Sequence, residues 1–293
     1  MISRLLYYLV IKPLSILPFW FLYGLSDVLY FVLYRCLNYR KLVVRTNLEN
    51  SFPHKTTQEI GQIEKAFYSH FCDLIVESIR LFSISEKELK SRNILLNPEL
   101  LDSLYSQNKS IILLGGHFNN WESGAAILSS LVKHHIIGIY APLSNLFFNR
   151  KILKSRERFG MEMLSKKSVK EGFENHKHNL TATIFATDQS PTHSKYVHWT
   201  SFLNQSTAVL KGAERFAKDY DYPLVFVYIK KVKRGYYEIE CQLLDDQPCK
   251  TKEGYLTETH TRWLENQIVE TPQFWLWTHK RWKRKMKEGE TFY

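Results

Sequence analysis

Between residues 110 and 270 the chain alternates short apolar runs with segments of helical spacing. The runs are SIILLGGHF (110–118), HIIGIYAP (135–142), LTATIFATDQ (180–189), PLVFVYIKKV (223–232) and YYEIECQLL (236–244). Helical patterns fill the intervals at 121–132, 145–160, 167–177 and 206–219, and one more closes the series at 252–270. Strands without polar alternation are covered on both faces, so the pattern predicts an α/β fold with a mostly covered sheet. Upstream, residues 39–95 read as helical: Ile60, Ile63, Phe67, Phe71, Leu74, Ile75 and Ile79 recur at three- and four-residue steps. Thr56 or Thr57 before Glu59 is the start signal of that helix, and a short helix follows at 97–107. There is no internal repeat, low-complexity tract or obvious linker, so 39–293 reads as one folded domain.

The segment before it is different in kind. From Leu5 to Tyr34 the only charges are Lys12 and Asp27 among Leu, Tyr, Phe and Trp. The 22 residues from Pro13 to Tyr34, with a single acid, come near the ~20 apolar residues needed to cross a bilayer core. Residues 1–38 therefore read as an N-terminal membrane-anchoring helix, without the small-residue cleavage site of a secretory signal. Pro13, Pro18 and Asp27 spoil a clean span, and an interfacial or re-entrant helix, or a buried helix of the folded domain, fits the same residues. Arg35, Arg40, Lys41 and Arg45 outweigh Arg4 and Lys12, which places the rest of the chain on the cytoplasmic side of the membrane.

A net charge of +11 favours anionic partners. No helix-turn-helix, aromatic RNA-binding motif or zinc finger accompanies it, which argues against nucleic acid. The tail HKRWKRKMK (279–287) sets six Lys or Arg around Trp282 and suits an anionic membrane surface or a solvated helix end. Cys36, Cys72, Cys241 and Cys249 form no CxxC pair and read as reduced thiols. His134, His135, His176 and His178 lack metal-ligand spacing and read as surface histidines. Trp275 and Trp277 read as core, and Ser123 lacks the Gly-x-Ser-x-Gly turn of a nucleophile.

Polar residues delivered to strand ends are the candidates for chemistry. One strand ends at His117 with Glu122 five residues on, and another ends at Asp188 and Gln189. Five residues apart on one helix would leave His117 and Glu122 about 140° apart, so the pair must straddle a strand-to-helix turn. Gly115 and Gly116 allow close backbone approach, and Asn119 and Asn120 suit a turn and a helix N-cap. There a carboxylate holds the imidazole in one tautomer while the other ring nitrogen takes a proton from a hydroxyl. A satisfied turn histidine beside a capping Asn is the alternative reading of the same residues.

GGHFNNWE (115–122) resembles the His-x4-Asp/Glu motif of glycerolipid-type acyltransferases, and its filling resembles that of the lipid A late acyltransferase family. Four further blocks are similar to that family in the same order: VVRTNLENSFP (43–53), RERFG (156–160), IFATDQ (184–189) and TPQFWLWTHKRWK (271–283). The resemblance implies an αβα sandwich of the glycerolipid-acyltransferase type, with 39–293 as the acyltransferase domain and no metal or cofactor. It implies acyl transfer from acyl carrier protein to a hydroxyl of a lipid A precursor, a phosphorylated glycolipid, at the inner membrane. His117 would be the general base with Glu122 as its partner. Arg156, with Arg158 as the competing choice, would hold a phosphate or developing negative charge. Asp188 would orient Arg156 or the acceptor, and Asn120 and Gln189 complete the substrate-binding candidates. Two departures stand out: Lys280 where the family has Arg, and the QSPTHSKYVHWTSFLNQST loop after Asp188. The second bears on which acceptor is used.

Overall fold

The computed structural model describes residues 2–191 and 196–292. At its centre is β2 (Ile111–Gly115), in which Ile111, Ile112, Leu113 and Leu114 are all buried. It pairs in parallel with β5 (Thr181–Ala186) on one side and β8 (Leu224–Lys233) on the other. With β1 (Asn93–Leu95), β3 (His135–Tyr140), β4 (Glu162–Ser165) and β9 (Tyr236–Asp245) the sheet runs β1-β9-β8-β2-β5-β3-β4. Among the described residues of this sheet, only the β8–β9 pair is antiparallel.

Strand side chains alternate between faces, and the core divides accordingly. Ile112, Leu114 and Phe226 face a cluster with Leu264, Ile268, Trp275 and Trp277, whereas Ile111, Leu113 and Val225 face Leu101, Leu104 and Leu128. Helices therefore cover both faces, as the continuous apolar strands require. The α/β expectation matches this parallel-dominated sheet, and most expected helices form: Pro98–Ser106, Trp121–Leu128, Leu146–Arg156, Val169–Asn175 and Tyr255–Glu270. Thr56 caps the Thr57–Arg80 helix in a reciprocal box with Glu59.

The helix expected at 206–219 is wrong in its first half. Residues 205–210 form β7 (Gln205–Leu210), hairpinned onto β6 (Val197–Phe202), and the helix starts only at Gly212. Leu203 and Asn204 make the turn with φ of 51° and 60°, a primed two-residue turn without the glycine that would announce it. The short edge strands β1 and β4 carry no pattern of their own. The basic tail is not a helix end either: Arg281 is buried against the Ala208 carbonyl, and Trp282 bonds the Thr207 hydroxyl. Residues 192–195 of the loop after Asp188 lie outside the described residues.

The N-terminal segment is broken rather than continuous. Ile2–Leu6, Lys12–Ser15 and Phe19–Tyr30 are α-helical, with wider π-type turns at Tyr7–Ile11 and Phe31–Cys36 and a break before Pro18. Among the described residues no helix is long and apolar enough to cross a membrane. One side of the segment packs on the Thr57–Arg80 helix through polar contacts: the Ser26 hydroxyl donates to Asp73, and the Tyr23 hydroxyl to Glu77. Leu9, Ile16, Trp20, Phe31 and Leu42 face outward.

Glu77 is the hub of this packing. Its buried carboxylate also accepts from the Tyr237 hydroxyl (2.8 Å) and from the Asn120 amide. Replacing it would orphan the buried Asn120 and Tyr237 donors and the half-buried Tyr23 hydroxyl at once, with about 1–3 kcal/mol for each buried one. Glu77→Ala is expected to lower stability by about 3 kcal/mol or more in denaturant unfolding, whereas Glu77→Gln, which keeps the shape and an acceptor oxygen, retains part of it.

Candidate active site

β2 and β5 lie side by side with Gly115 opposite Ala186. Two residues beyond each partner stand His117 and Asp188, so the parallel register itself brings them together. Asp188 accepts from the His117 backbone N–H (2.8 Å) and meets His117 Nδ1 at 2.6 Å. Its Oδ2 also takes the Trp275 indole N–H at 2.8 Å. Gly116 gives the turn its close approach: a Cβ there would lie 2.7 Å from Leu264 Cδ1 and 3.2 Å from the Asp188 carboxylate, so the Leu264 side chain would have to shift. A Cβ on Gly115 would meet nothing closer than 3.6 Å.

The turn is clamped from the far end of the chain. Asn119 N–H donates to the Phe274 carbonyl (2.9 Å), and Leu276 N–H to the His117 carbonyl (3.2 Å). Asn119 sits at φ 50° and fixes its side chain on the Ile229 carbonyl. Asn120 then caps the Trp121–Leu128 helix, its Oδ1 accepting from Ser123 N–H. The imidazole packs edge-on against Trp121 with ring centroids 5.1 Å apart.

With Nδ1–H given to Asp188, Nε2 carries the lone pair and accepts from the Gln189 amide at 3.1 Å. The imidazole is 18% exposed, so Nε2 is reachable from solvent. Burial pulls the His117 pKa down, but the adjacent Asp188 charge and hydrogen bond outweigh it and raise it above the ordinary imidazole value. Burial likewise pushes Asp188 up, and the His117 and Trp275 contacts overcome that and hold its carboxyl well below the usual range. Beside the dyad, Glu122 and Arg156 form a bidentate ion pair, with Arg156 Nε 2.9 Å from Glu122 Oε2. His279 accepts from the Ser190 N–H (3.0 Å), and burial lowers its pKa to about 4, which keeps it neutral as that acceptor. The arrangement can hold a neutral imidazole ready to take a proton beside a fixed guanidinium.

Residues 2–284 of the chain match the model of the bacterial lipid A biosynthesis acyltransferase family. The chain belongs to that family. A lipid A biosynthesis acyltransferase of Haemophilus influenzae is 23% identical to it over 258 residues, covering 85% of this chain and 77% of that protein. The site of this acyltransferase differs from the sequence expectation in which acid serves which base. Glu122, expected on His117, pairs instead with Arg156; the carboxylate on the imidazole is Asp188, brought by the neighbouring strand. The His-x4-Glu spacing places Glu122 in the first turn of the helix, where it faces the Leu146–Arg156 helix.

Arg158 does not join the site. Two residues rotate a helical direction by about 200°, and Arg158 donates to the carbonyls of Leu81 (2.7 Å) and Ile84 (2.8 Å) instead. Asn120 is not placed to bind substrate either, since its amide is spent on Ser123 and Glu77. Gln189 is in the site, on the imidazole itself. Trp275 and His279 were not singled out as site residues, although both lie in the closing block whose length and order carried the resemblance. Ser123 is committed to Asn93 and the Asn120 carbonyl.

If neutral His117 is the working form, kcat/KM rises with pH with a midpoint above ~6.5. Asp188→Asn removes the charge that raises it, so the midpoint is expected to move to lower pH while the plateau falls ~10²–10⁴-fold. A pH–rate profile of both proteins measures the two effects together. Arg156→Lys is expected to lower kcat with little change in Tm, and Arg158→Lys to lower Tm with a smaller loss of kcat.

Proposed function

We propose that this acyltransferase moves a fatty acyl chain from the thioester of acyl carrier protein to a hydroxyl of a lipid A precursor. The observation that carries this reading is the His117 imidazole, fixed through Nδ1 by Asp188 and offering Nε2 to solvent beside Arg156. The acceptor hydroxyl displaces the Gln189 amide from Nε2 and gives that nitrogen its proton. The hydroxyl oxygen attacks the thioester carbonyl, and negative charge develops on the carbonyl oxygen. Collapse of that intermediate forms the ester and expels the carrier thiolate, which takes the proton back from the imidazolium. No covalent acyl-protein is needed. The Arg156 guanidinium, held by Glu122, supplies the fixed positive charge for the oxyanion or for an acceptor phosphate. The net charge of +11 suits both an acidic carrier and a phosphorylated glycolipid.

The broken N-terminal segment suits seating on a membrane rather than crossing one. Leu9, Ile16, Trp20, Phe31 and Leu42 are 60% or more exposed, and Lys12, Arg35 and Lys41 lie among them. This supports docking on the cytoplasmic face of the inner membrane, where donor and acceptor are both accessible. A related acyltransferase that uses another amphiphile, such as an amino-acid lipid, is the second reading, favoured by the unusual loop after Asp188.

Purified protein in detergent, supplied with radiolabelled acyl carrier protein donors and a tetra-acylated lipid A precursor, is expected to form the acylated product. His117→Ala should lose ~10²–10⁴-fold of the rate. Transfer only to a different hydroxyl lipid would move the acceptor and keep the chemistry. Wild-type rates in the His117→Ala protein would remove the base from the mechanism.

A further inference from the structure

At the opposite end of the strands from His117, three side chains converge that the reaction does not use. His135 opens β3, and Glu162 opens the edge strand β4. Their register, with Ile137 opposite Glu162, puts both on one face of the sheet, because residues two apart on a strand point the same way. The third is His176, which closes the Val169–Asn175 helix as the chain crosses from β4 back to β5. Nε2 of His135 lies 2.8 Å from Glu162 Oε2, and Nε2 of His176 lies 3.1 Å from the same oxygen. All three ligand atoms fall within 4.8 Å of one another, with the two rings 5.4 Å apart.

We propose that His135, Glu162 and His176 form a binding site for a divalent transition-metal cation of the zinc class, which ties the edge strand to its neighbour and to the crossover helix. Two imidazole nitrogens and one carboxylate oxygen are a zinc-type donor set rather than a magnesium or calcium one. Bonds of ~2.0–2.2 Å in a tetrahedral centre put ligand atoms ~3.3–3.5 Å apart. The observed spacings come near that after a small opening. Both histidines present the same nitrogen, Nε2, and behind His176 its Nδ1 lies 3.3 Å from the Asn179 side-chain amide nitrogen. Asn179 is itself anchored, its N–H donating to the His176 carbonyl and its carbonyl accepting from the Ser110 hydroxyl. Turning the Asn179 side-chain amide over puts its oxygen on Nδ1–H and leaves Nε2 as the metal-binding lone pair, the usual outer support of a ligating histidine. Glu162 and His135 are about two-fifths exposed, so water can complete the coordination. The need is also visible: β4 has a single strand neighbour, and all four of its residues are only half-buried.

The test uses the full chain in detergent, with any affinity tag removed and metal stripped by a chelator. Titration with Co²⁺ is expected to saturate at one equivalent, with the visible d–d bands of imidazole and carboxylate ligation, and Zn²⁺ should raise Tm and displace the cobalt. Glu162→Gln and His176→Ala should each abolish the bands and the Tm rise while keeping the far-UV circular dichroism and acyl transfer of the stripped protein. Asn179→Ala should weaken affinity ~10–100-fold. Binding should also fall away as pH drops and the imidazoles take up protons. The absence of saturable one-equivalent binding overturns the proposal, as do bands that survive both Glu162→Gln and His176→Ala.

Discussion

A carboxylate buried at the end of a strand cannot be left unpaired, because a charge taken out of water must recover its solvation from fixed donors. Asp188 is that carboxylate, and its three donors come from two distant stretches of chain. The His117 backbone and ring come from the turn after β2, and the Trp275 indole comes from the closing block. The Gly115–Ala186 register sets the first two at the right height. A slip of one residue between β2 and β5 would turn one of the pair to the other face and strand the charge. Sheet register, the loss of a Cβ at Gly116 and the wedge of the C-terminal segment thus serve one requirement.

A second buried carboxylate does the same for the surroundings. Glu77 takes donors from Tyr23 in the N-terminal segment, Tyr237 on β9 and Asn120 in the catalytic turn. The apolar N-terminal helices are therefore joined to the site through a polar contact, while their outer face carries Leu, Trp and Phe. Arg234 extends the same junction, bonding Asp27 of the N-terminal segment and Asp73 of the long helix.

Much of this was legible in the sequence, and the failures share a cause. The buried strands, most of the helices and the Thr56 cap announce themselves through periodicity and local capping chemistry. His117, Asp188 and Gln189 were found because each follows the end of a strand, whereas Arg156 was found only through the resemblance of RERFG (156–160) to the family's arginine block. Which carboxylate meets which base was not legible, since Glu122 is near His117 in sequence whereas Asp188 is near it only through the sheet. The β6–β7 hairpin was missed because its turn is Leu203–Asn204, without glycine, and β4 because an edge strand of four half-buried residues has no pattern to read. The meeting of His135 and His176 on Glu162 was hidden for the same reason: it is made by a crossover. The fate of Arg158 rather than Arg156 was a matter of helical phase at the tightened end of one helix.

The clamp on the catalytic turn has a bearing on how the molecule comes into being. Its last parts, the Phe274 and Leu276 backbone and the Trp275 ring, leave the ribosome more than 150 residues after the turn that they hold. Until they arrive, Asp188 lacks its indole donor and the His117 turn lacks its backbone partners. The acid–base pair is therefore completed after the sheet, by contacts of very high sequence separation, which form slowly. A chain that has emerged only as far as β9 carries the sheet and both glycines, but not yet the backbone and indole contacts that fix the acid–base pair.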